Sequence, residues 1–101
     1  MAYRSRLIEV VKYGNLPEYL AVIDAMNNRA QATGRIPATV LTPVAGLSNQ
    51  VITETEFEDM TAYQAQVDSF WSDDEAIQLW RSKAAITMEG QSHSELLFVV
   101  T

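Results

Sequence analysis

The sequence predicts a small α+β fold in which helices cover one face of a four-stranded antiparallel sheet. Apolar and polar residues alternate near both ends of the chain and in its middle, which is typical of β-strands. Between these stretches, apolar residues recur at three- and four-residue spacing, which is typical of helices packed on one side. The predicted order is strand, helix, strand, strand, helix, strand.

The first half of the chain begins with a predicted strand over residues 3–12. A helix is predicted to follow, with Asn15 as its cap, Pro17 in its first turn and Glu18 completing a capping box. Gly34 stands where a left-handed residue commonly ends a helix. These signals predict one helix of about five turns.

A hairpin is predicted in the middle of the chain. Residues 38–44 are β-branched and apolar, but Pro43 cannot donate to a ladder, so this strand is expected at an edge or a bulge. Residues 45–49 have the composition of a turn, and residues 50–57 alternate again. The two stretches are therefore expected to pair.

The second helical region is predicted to begin at Asp59 or Thr61. Residues 72–75 (SDDE) interrupt it and restart a helix with a capping box of their own, which predicts a kink. The apolar stripe then continues as far as Met88. Residues 92–100 form the last predicted strand, which is apolar on both faces.

This order of elements predicts a ferredoxin-like βαββαβ protomer, because two right-handed β–α–β crossings place both helices on one face of the sheet. The opposite face is then bare. Whichever side of the first and last strands faces that way, the bare face carries apolar side chains. They form a larger apolar surface than a soluble monomer of this size usually exposes. We therefore expect a homodimer.

Composition limits the function classes. The chain has 101 residues, enough for a single domain over 1–101, and its net charge of −6 argues against a nucleic-acid partner. It has no Cys, which excludes disulfides and thiol nucleophiles, and one His with scattered carboxylates does not match metal-ligand spacing, so neither a metal nor a cofactor is expected. No apolar run is long enough for a signal core or a membrane anchor, so we expect a cytoplasmic protein with no membrane contact.

Residues along most of the chain resemble the dimeric α+β barrel superfamily, and within it the NIPSNAP-like group. The similarity lies in 43–52 (PVAGLSNQVI), in the acidic-aromatic stretch 54–60 that leads to Tyr63, and in 73–75 (DDE) with Trp80. The resemblance implies a βαββαβ protomer whose sheet packs face to face with the sheet of a second copy.

Relatives of this fold include cofactor-independent quinone-forming monooxygenases, haem-degrading enzymes, isomerases and ligand-sensing domains, so the fold gives function only by analogy. The haem-degrading relatives use an Asn on the first strand with Trp and His on the second helix. Here Ser5, Leu7 and Glu9 lie on the first strand, and the only His, His93, lies near the last strand. Haem chemistry is therefore not expected.

Aromatic residues follow the second helical region at near-helical spacing. Such a stripe, here Tyr63, Phe70, Trp71 and Trp80, is usually core. It could also line a pocket for a flat apolar ligand, with the Trp N–H and Tyr O–H groups as orienting donors. Asn49 is interpreted as a turn residue or as part of a pocket mouth. His93 is interpreted as a solvated residue at a strand entrance or as a base. The predicted ligand-binding set is Asn49, Tyr63, Trp71, Trp80 and His93.

Charged residues alternate on two of the predicted strands. Glu54, Glu56 and Glu58 are expected on one face of the third strand, and Arg4 and Arg6 on one face of the first. Because these strands are expected to be antiparallel neighbours, cross-strand ion pairs are the favoured interpretation over paired catalytic carboxylates. On a face buried between subunits, such pairs would set the register of the dimer.

The sequence favours a small homodimeric NIPSNAP-like protein of unknown function that binds a small apolar or aromatic molecule between helices and sheet. One alternative is a cofactor-independent monooxygenase or isomerase that acts on an activated aromatic or enol. Another is a purely structural assembly module. Whether the protein is an enzyme stays open at this point.

Overall fold

A computed structural model describes residues 2–100, which form four strands and three helices in an α+β arrangement. The strands pair into one antiparallel sheet in the order β2-β3-β1-β4, which confirms the predicted ferredoxin-like fold. The elements are β1 (Ala2–Val10), α1 (Leu16–Ala32), β2 (Thr39–Leu41), β3 (Gln50–Phe57), α2 (Met60–Trp71), α3 (Asp74–Ala84) and β4 (His93–Val99).

The hydrophobic core lies between the helices and one face of the sheet. Val11 and Val51 are fully buried there against Tyr19 and Ile23 of α1. Since side chains alternate along a strand, the register places a second set of residues on the opposite face, which we call the bare face. The bare face carries Arg4, Arg6 and Ile8 of β1, the opposing Glu56, Glu54 and Ile52 of β3, and Glu95, Leu97 and Val99 of β4.

Helix α1 begins where predicted, with Asn15 at its N-cap and Pro17 in its first turn. The side chain of Asn15 accepts no backbone hydrogen bond, so only the side-chain capping predicted for it is wrong. Its Nδ2 instead donates to Glu18 Oε2 at 3.0 Å, and its backbone oxygen accepts from Tyr19 N. The side-chain amide of Asn15 thus bonds Glu18 and caps no backbone N–H. The first turn of the helix is stabilised by its backbone hydrogen bonds and by Pro17. Gly34 follows the helix at φ 78°, as predicted.

The kink between α2 and α3 is confirmed, but its capping residue differs. Asp73 caps α3, because its carboxylate accepts from Ala76 N at 3.3 Å. The predicted capping box over residues 72–75 is therefore wrong, and Ser72 Oγ donates back to Asp68 O. A carboxylate at the cap also complements the positive end of the helix dipole.

Helix α3 ends at Ala84, four residues before the predicted Met88. The chain leaves the helix to extend the end of β1: Lys12 N donates to Ile86 O at 2.8 Å, and Met88 N donates to Val10 O at 2.7 Å. Pairing with the sheet thus replaces the last helical turn that the apolar spacing predicted.

Two strand ends also differ from the prediction. Strand β2 has three exposed residues rather than the seven of 38–44, since Pro43 interrupts the ladder. Strand β3 ends at Phe57, so Glu58 lies in the bend before α2 and not on the strand face. Within residues 2–100, no helix combines the length and the apolarity needed to cross a bilayer. The cytoplasmic location stays a prediction.

Candidate functional site

A partly open cavity of about 150 Å³ lies between the helix layer and β3. Helices α1, α2 and α3, the segment that leads into β2, and β3 itself all contribute to its wall. The wall is mainly apolar because the helices present small and aliphatic side chains here, with one aromatic ring. Its apolar members are Met26, Ala30, Ile36, Ala38, Phe70 and Ala76.

Two amide side chains fix the loop that closes this cavity. Asn27 of α1 donates to Ala38 O and accepts from Ala38 N, both at 2.9 Å. Gln66 of α2 makes the same paired contacts with the backbone of Ile36, again at 2.9 Å. Each side-chain amide bonds both the backbone N–H and the backbone C=O of one loop residue, as a neighbouring strand would. Both helices therefore hold the loop in place.

An arginine–aspartate cluster lies at the edge of the cavity. Asp73 accepts from Arg29 Nε at 2.9 Å and from Arg35 Nη2 at 3.0 Å, and Arg35 Nη1 also contacts Ser69 Oγ. Hydrogen bonds from Arg29 hold the pKa of Asp73 well below its usual range, with Arg35 and the backbone of Ala76 adding to the effect against the cost of burial. The charge of Arg35, which lines the cavity, is therefore already compensated.

A second polar cluster is buried beside the core and was missed at the sequence level. Tyr19 Oη donates to Glu9 Oε1 at 2.7 Å, and Lys83 Nζ lies 2.8 Å from the same oxygen. The side chains of Lys83 and Glu9 are only 3% and 8% exposed. Burial, and then the hydrogen bond to Glu9, raises the pKa of Tyr19 far above its usual value. None of the three lines the cavity; they join β1, α1 and α3.

The five predicted ligand residues lie apart from this cavity. Asn49 Nδ2 donates to Val11 O at 2.9 Å, which ties the start of β3 to the end of β1. The ring of Tyr63 contacts Phe57 edge-on, with centroids 5.4 Å apart. Asn49 lies just before β3 and Phe57 ends it, about 25 Å further along the strand, so Asn49 and Tyr63 lie at opposite ends of β3. His93 is exposed where β4 begins, opposite Ile8.

Only two of the predicted residues meet. The rings of Trp71 and Trp80 form a T-shaped pair at 5.9 Å, and the residues are 55% and 39% exposed. The cavity is lined instead by Phe70. The ring of Trp71 contacts the ring of Phe70 edge-on, with centroids 5.1 Å apart, but Trp71 is not part of the wall. The binding role of the five residues stays a prediction.

The bare face carries the predicted cross-strand ion pairs. Arg6 Nε lies 2.7 Å from Glu54 Oε2, and Arg6 Nη1 lies 3.7 Å from Glu95 Oε1 on the other neighbouring strand. Arg4 Nη2 lies 3.5 Å from Glu56 Oε1. These contacts confirm the structural interpretation of the alternating charges. Among residues 2–100, no three His, Asp or Glu side chains converge to hold a metal ion.

The sheet order, with the helices on one face of the sheet, defines a ferredoxin-like α+β fold. The fold is similar to a NIPSNAP family protein from Agrobacterium tumefaciens, with a TM-score of 0.77 and 14% identity over 97% of this chain and 92% of that one. An uncharacterized NIPSNAP domain protein from Burkholderia xenovorans gives 0.76 and 16% over 100% and 96% of the two chains. A putative antibiotic biosynthesis monooxygenase from Nitrosomonas europaea gives 0.76 and 8% over 98% and 90%.

No protein-family profile and no curated protein matches the sequence. The structural similarities extend over nearly the whole chain at low identity, so what they show is the fold. That fold is shared by NIPSNAP-family proteins and by a neighbour described as a monooxygenase, which bears out the resemblance drawn from the sequence. Function has to be argued from the cavity and the bare face.

Proposed function

We propose that this protein is a homodimer that binds a small apolar or aromatic molecule in the cavity between helices and sheet. The observation that carries the proposal is the mainly apolar, partly open cavity beside Phe70. Ligand sites are typically apolar hollows with a few polar groups that fix orientation. Here Thr55 supplies such a group in the wall, whereas Gln66 and Arg35 are engaged with Ile36 and Asp73.

The volume of the cavity limits the ligand to one ring. Pockets for drug-sized ligands usually measure about 300–1,000 Å³, whereas this cavity measures about 150 Å³. An engineered apolar cavity of about that size is known to hold benzene. Larger hollows of 410–510 Å³ lie on the outer surfaces of the helices, where they are open to solvent. We therefore assign binding to the cavity between helices and sheet, which is less open to solvent than these hollows.

Binding is favoured over catalysis because the cavity wall offers no general base. Its described lining contains no His, Asp or Glu, and its only ionisable side chain is Arg35, which is paired with Asp73. The alternative, a monooxygenase or isomerase that needs no cofactor, would need a substrate that loses its proton without help from the wall. His93, the one residue considered as a base from the sequence, lies on the bare face.

The proposed partner is a second copy of the chain, packed on the bare face. This face exposes Leu41 of β2 and Leu97 of β4, and it carries Ile8 and Ile52 between them. Apolar side chains in such numbers on one sheet face are usually covered in soluble proteins. The mixed charges beside them suit a self-complementary contact, since a two-fold dimer presents the same surface on both subunits.

A cavity-filling substitution tests the ligand site. We expect Ala30→Leu, which enlarges a buried wall residue, to abolish saturable binding of phenol, benzoquinone or indole as measured by saturation-transfer NMR and calorimetry. Ala21→Leu, the same change on an exposed position of α1, should bind like the wild type. Circular dichroism verifies that both variants fold. Binding retained by Ala30→Leu would place the ligand elsewhere, and no binding by the wild type would favour the assembly module.

A further inference from the structure

We infer that the hydroxyl of Thr55 selects the ligand of the cavity through a hydrogen bond, and that this ligand is an uncharged molecule of one ring with a single hydroxyl or carbonyl group. This inference rests on the proposed binding function and names the class of ligand. It follows from which polar groups of the wall already have partners and which one does not.

The two side-chain amides in the wall are committed to the loop that closes the cavity. Asn27 bonds the backbone of Ala38 and Gln66 bonds the backbone of Ile36, each through both its nitrogen and its oxygen at 2.9 Å. A ligand that competed for either amide would release a segment that forms part of the wall. Neither amide is therefore assigned to the ligand.

The positive charge in the wall is already matched by a carboxylate. Arg35 Nη2 donates to Asp73 Oδ2 at 3.0 Å, and Arg35 Nη1 donates to Ser69 Oγ at 3.3 Å. The side chains of Arg35 and Asp73 are only 7% and 8% exposed. An anionic ligand would have to share this guanidinium with Asp73, and an ion that leaves water without a counterion of its own is costly to bury. The wall therefore favours an uncharged ligand.

Thr55 is a polar residue on the side of β3 that faces the helices. Along the strand it alternates with Val51 and Phe57, which lie on the same side; Val51 is buried in the core, and the ring of Phe57 contacts Tyr63 of α2. Thr55 itself lines the cavity. A valine of nearly the same shape would fill this place without needing a hydrogen-bond partner. The hydroxyl is thus the one feature of this position that a wholly apolar ligand would not use.

The hydroxyl of Thr55 is unpaired and accessible. Among the described residues, the hydrogen bonds of the wall are made by Asn27, Gln66 and Arg35, and none involves the Thr55 hydroxyl. Thr55 is partly buried, yet no polar side-chain atom within residues 2–100 is both fully buried and without a partner, so a bound molecule can reach this oxygen. A threonine hydroxyl has one donor and two acceptor sites, so it pairs with a hydroxyl or with a carbonyl.

The rest of the wall limits the ligand to one polar group. A cavity of about 150 Å³ holds a single ring. Around that ring the wall offers mainly apolar groups, among them Met26, Ala30 and Phe70. A second hydroxyl or carbonyl would lie against these side chains without a partner, and a polar group buried in that way is costly. Phenol and benzaldehyde meet these conditions.

Thr55→Val tests the selection, because it nearly keeps the shape of the side chain and removes the hydroxyl. We expect calorimetry to show that this change weakens the binding of phenol about tenfold and leaves the binding of toluene, a ring without a hydrogen-bonding group, unchanged. Thr55→Ser keeps the hydroxyl and should retain the preference for phenol. Thr53→Val makes the same change on the same side of β3, outside the described lining of the cavity, and should bind both probes like the wild type. Circular dichroism verifies that the variants fold.

A charged probe tests the exclusion of anions. Benzaldehyde and benzoate have the same ring, but at neutral pH only benzoate carries a charge. We expect the wild type to bind benzoate at least about tenfold more weakly than benzaldehyde, since the wall offers no free cation to a bound carboxylate.

Each outcome separates the selection of the ligand from the binding function itself. If Thr55→Val weakens phenol and toluene equally, or weakens neither, the role of Thr55 is overturned while the cavity remains a binding site. Wild-type protein that binds toluene but not phenol has the same meaning. If benzoate binds as tightly as benzaldehyde, the uncharged class of ligand is overturned. If the wild type binds none of the four probes, the proposed function fails, and this inference fails with it.

Discussion

Removal of Lys83 should destabilise the protein strongly, because its ammonium neutralises a buried carboxylate. Lys83 and Glu9 lie 2.8 Å apart with side chains 3% and 8% exposed, and Tyr19 donates to the same carboxylate oxygen. Loss of one member of a buried ion pair typically costs about 3–5 kcal/mol, because the other charge stays buried without a partner. Since small domains are stable by about 5–15 kcal/mol in total, Lys83→Met should remove a large share of the folding free energy.

Urea unfolding followed by circular dichroism measures this loss, at one protein concentration because dimerisation would contribute to stability. With a slope of about 2 kcal/mol per molar urea, the midpoint should fall by about 2 M. Lys12→Met removes an exposed lysine and should change stability little. The triple variant Glu9→Leu, Tyr19→Phe, Lys83→Met should recover most of the loss, since apolar replacement of a whole buried pair is often neutral. A midpoint for Lys83→Met within 0.5 M of the wild type, or no recovery in the triple variant, would refute the reasoning.

Two further predictions concern pH. Because burial raises the pKa of Tyr19, its contribution to stability is full below the pKa of an unfolded tyrosine, about 10, and falls as the pH rises beyond it. Tyr19→Phe should flatten this alkaline loss in urea unfolding, whereas Tyr13→Phe, at an exposed position, should not. Because Arg29 lowers the pKa of Asp73, its contribution is full above about pH 4 and is lost as the pH falls further. Asp73→Asn should be less stable at neutral pH and lose less below pH 4; a variant as acid-sensitive as the wild type would contradict the assignment.

The parts of the fold that depend on local signals could be predicted from the sequence. Strand β3 matches its predicted range of 50–57, and Gly34 takes the left-handed conformation expected after α1. The errors occur where another contact, local in one case and tertiary in the other, competes with the predicted one. Asn15 bonds Glu18 rather than the backbone, and the chain after Ala84 pairs with β1 rather than continuing α3.

The candidate site was harder to predict, because periodicity identifies a stripe without showing which part of it meets the cavity. Phe70 and Trp71 are adjacent in the stripe, yet only Phe70 lines the cavity.

The buried ion pair had a weak signal in the sequence. Glu9 alternates with Val11 on the apolar side of β1, and Lys83 lies seven residues after the buried Ala76, on the same side of α3. Charged residues on two apolar faces that are expected to pack together indicate a buried pair.

The electrostatics of the cavity also limit any reaction that could occur in it. Asp73 is committed to Arg29, Arg35 and the N-terminus of α3, so the nearest carboxylate has no free role as a base. Arg35 is a fixed positive charge in the wall, but its ion pair with Asp73 already compensates it, so it adds little stabilisation to a negative charge that develops on a bound molecule. A substrate would therefore have to be acidic enough to lose its own proton near neutral pH. Its pKa, rather than that of any side chain in the wall, would then set the pH dependence of the rate.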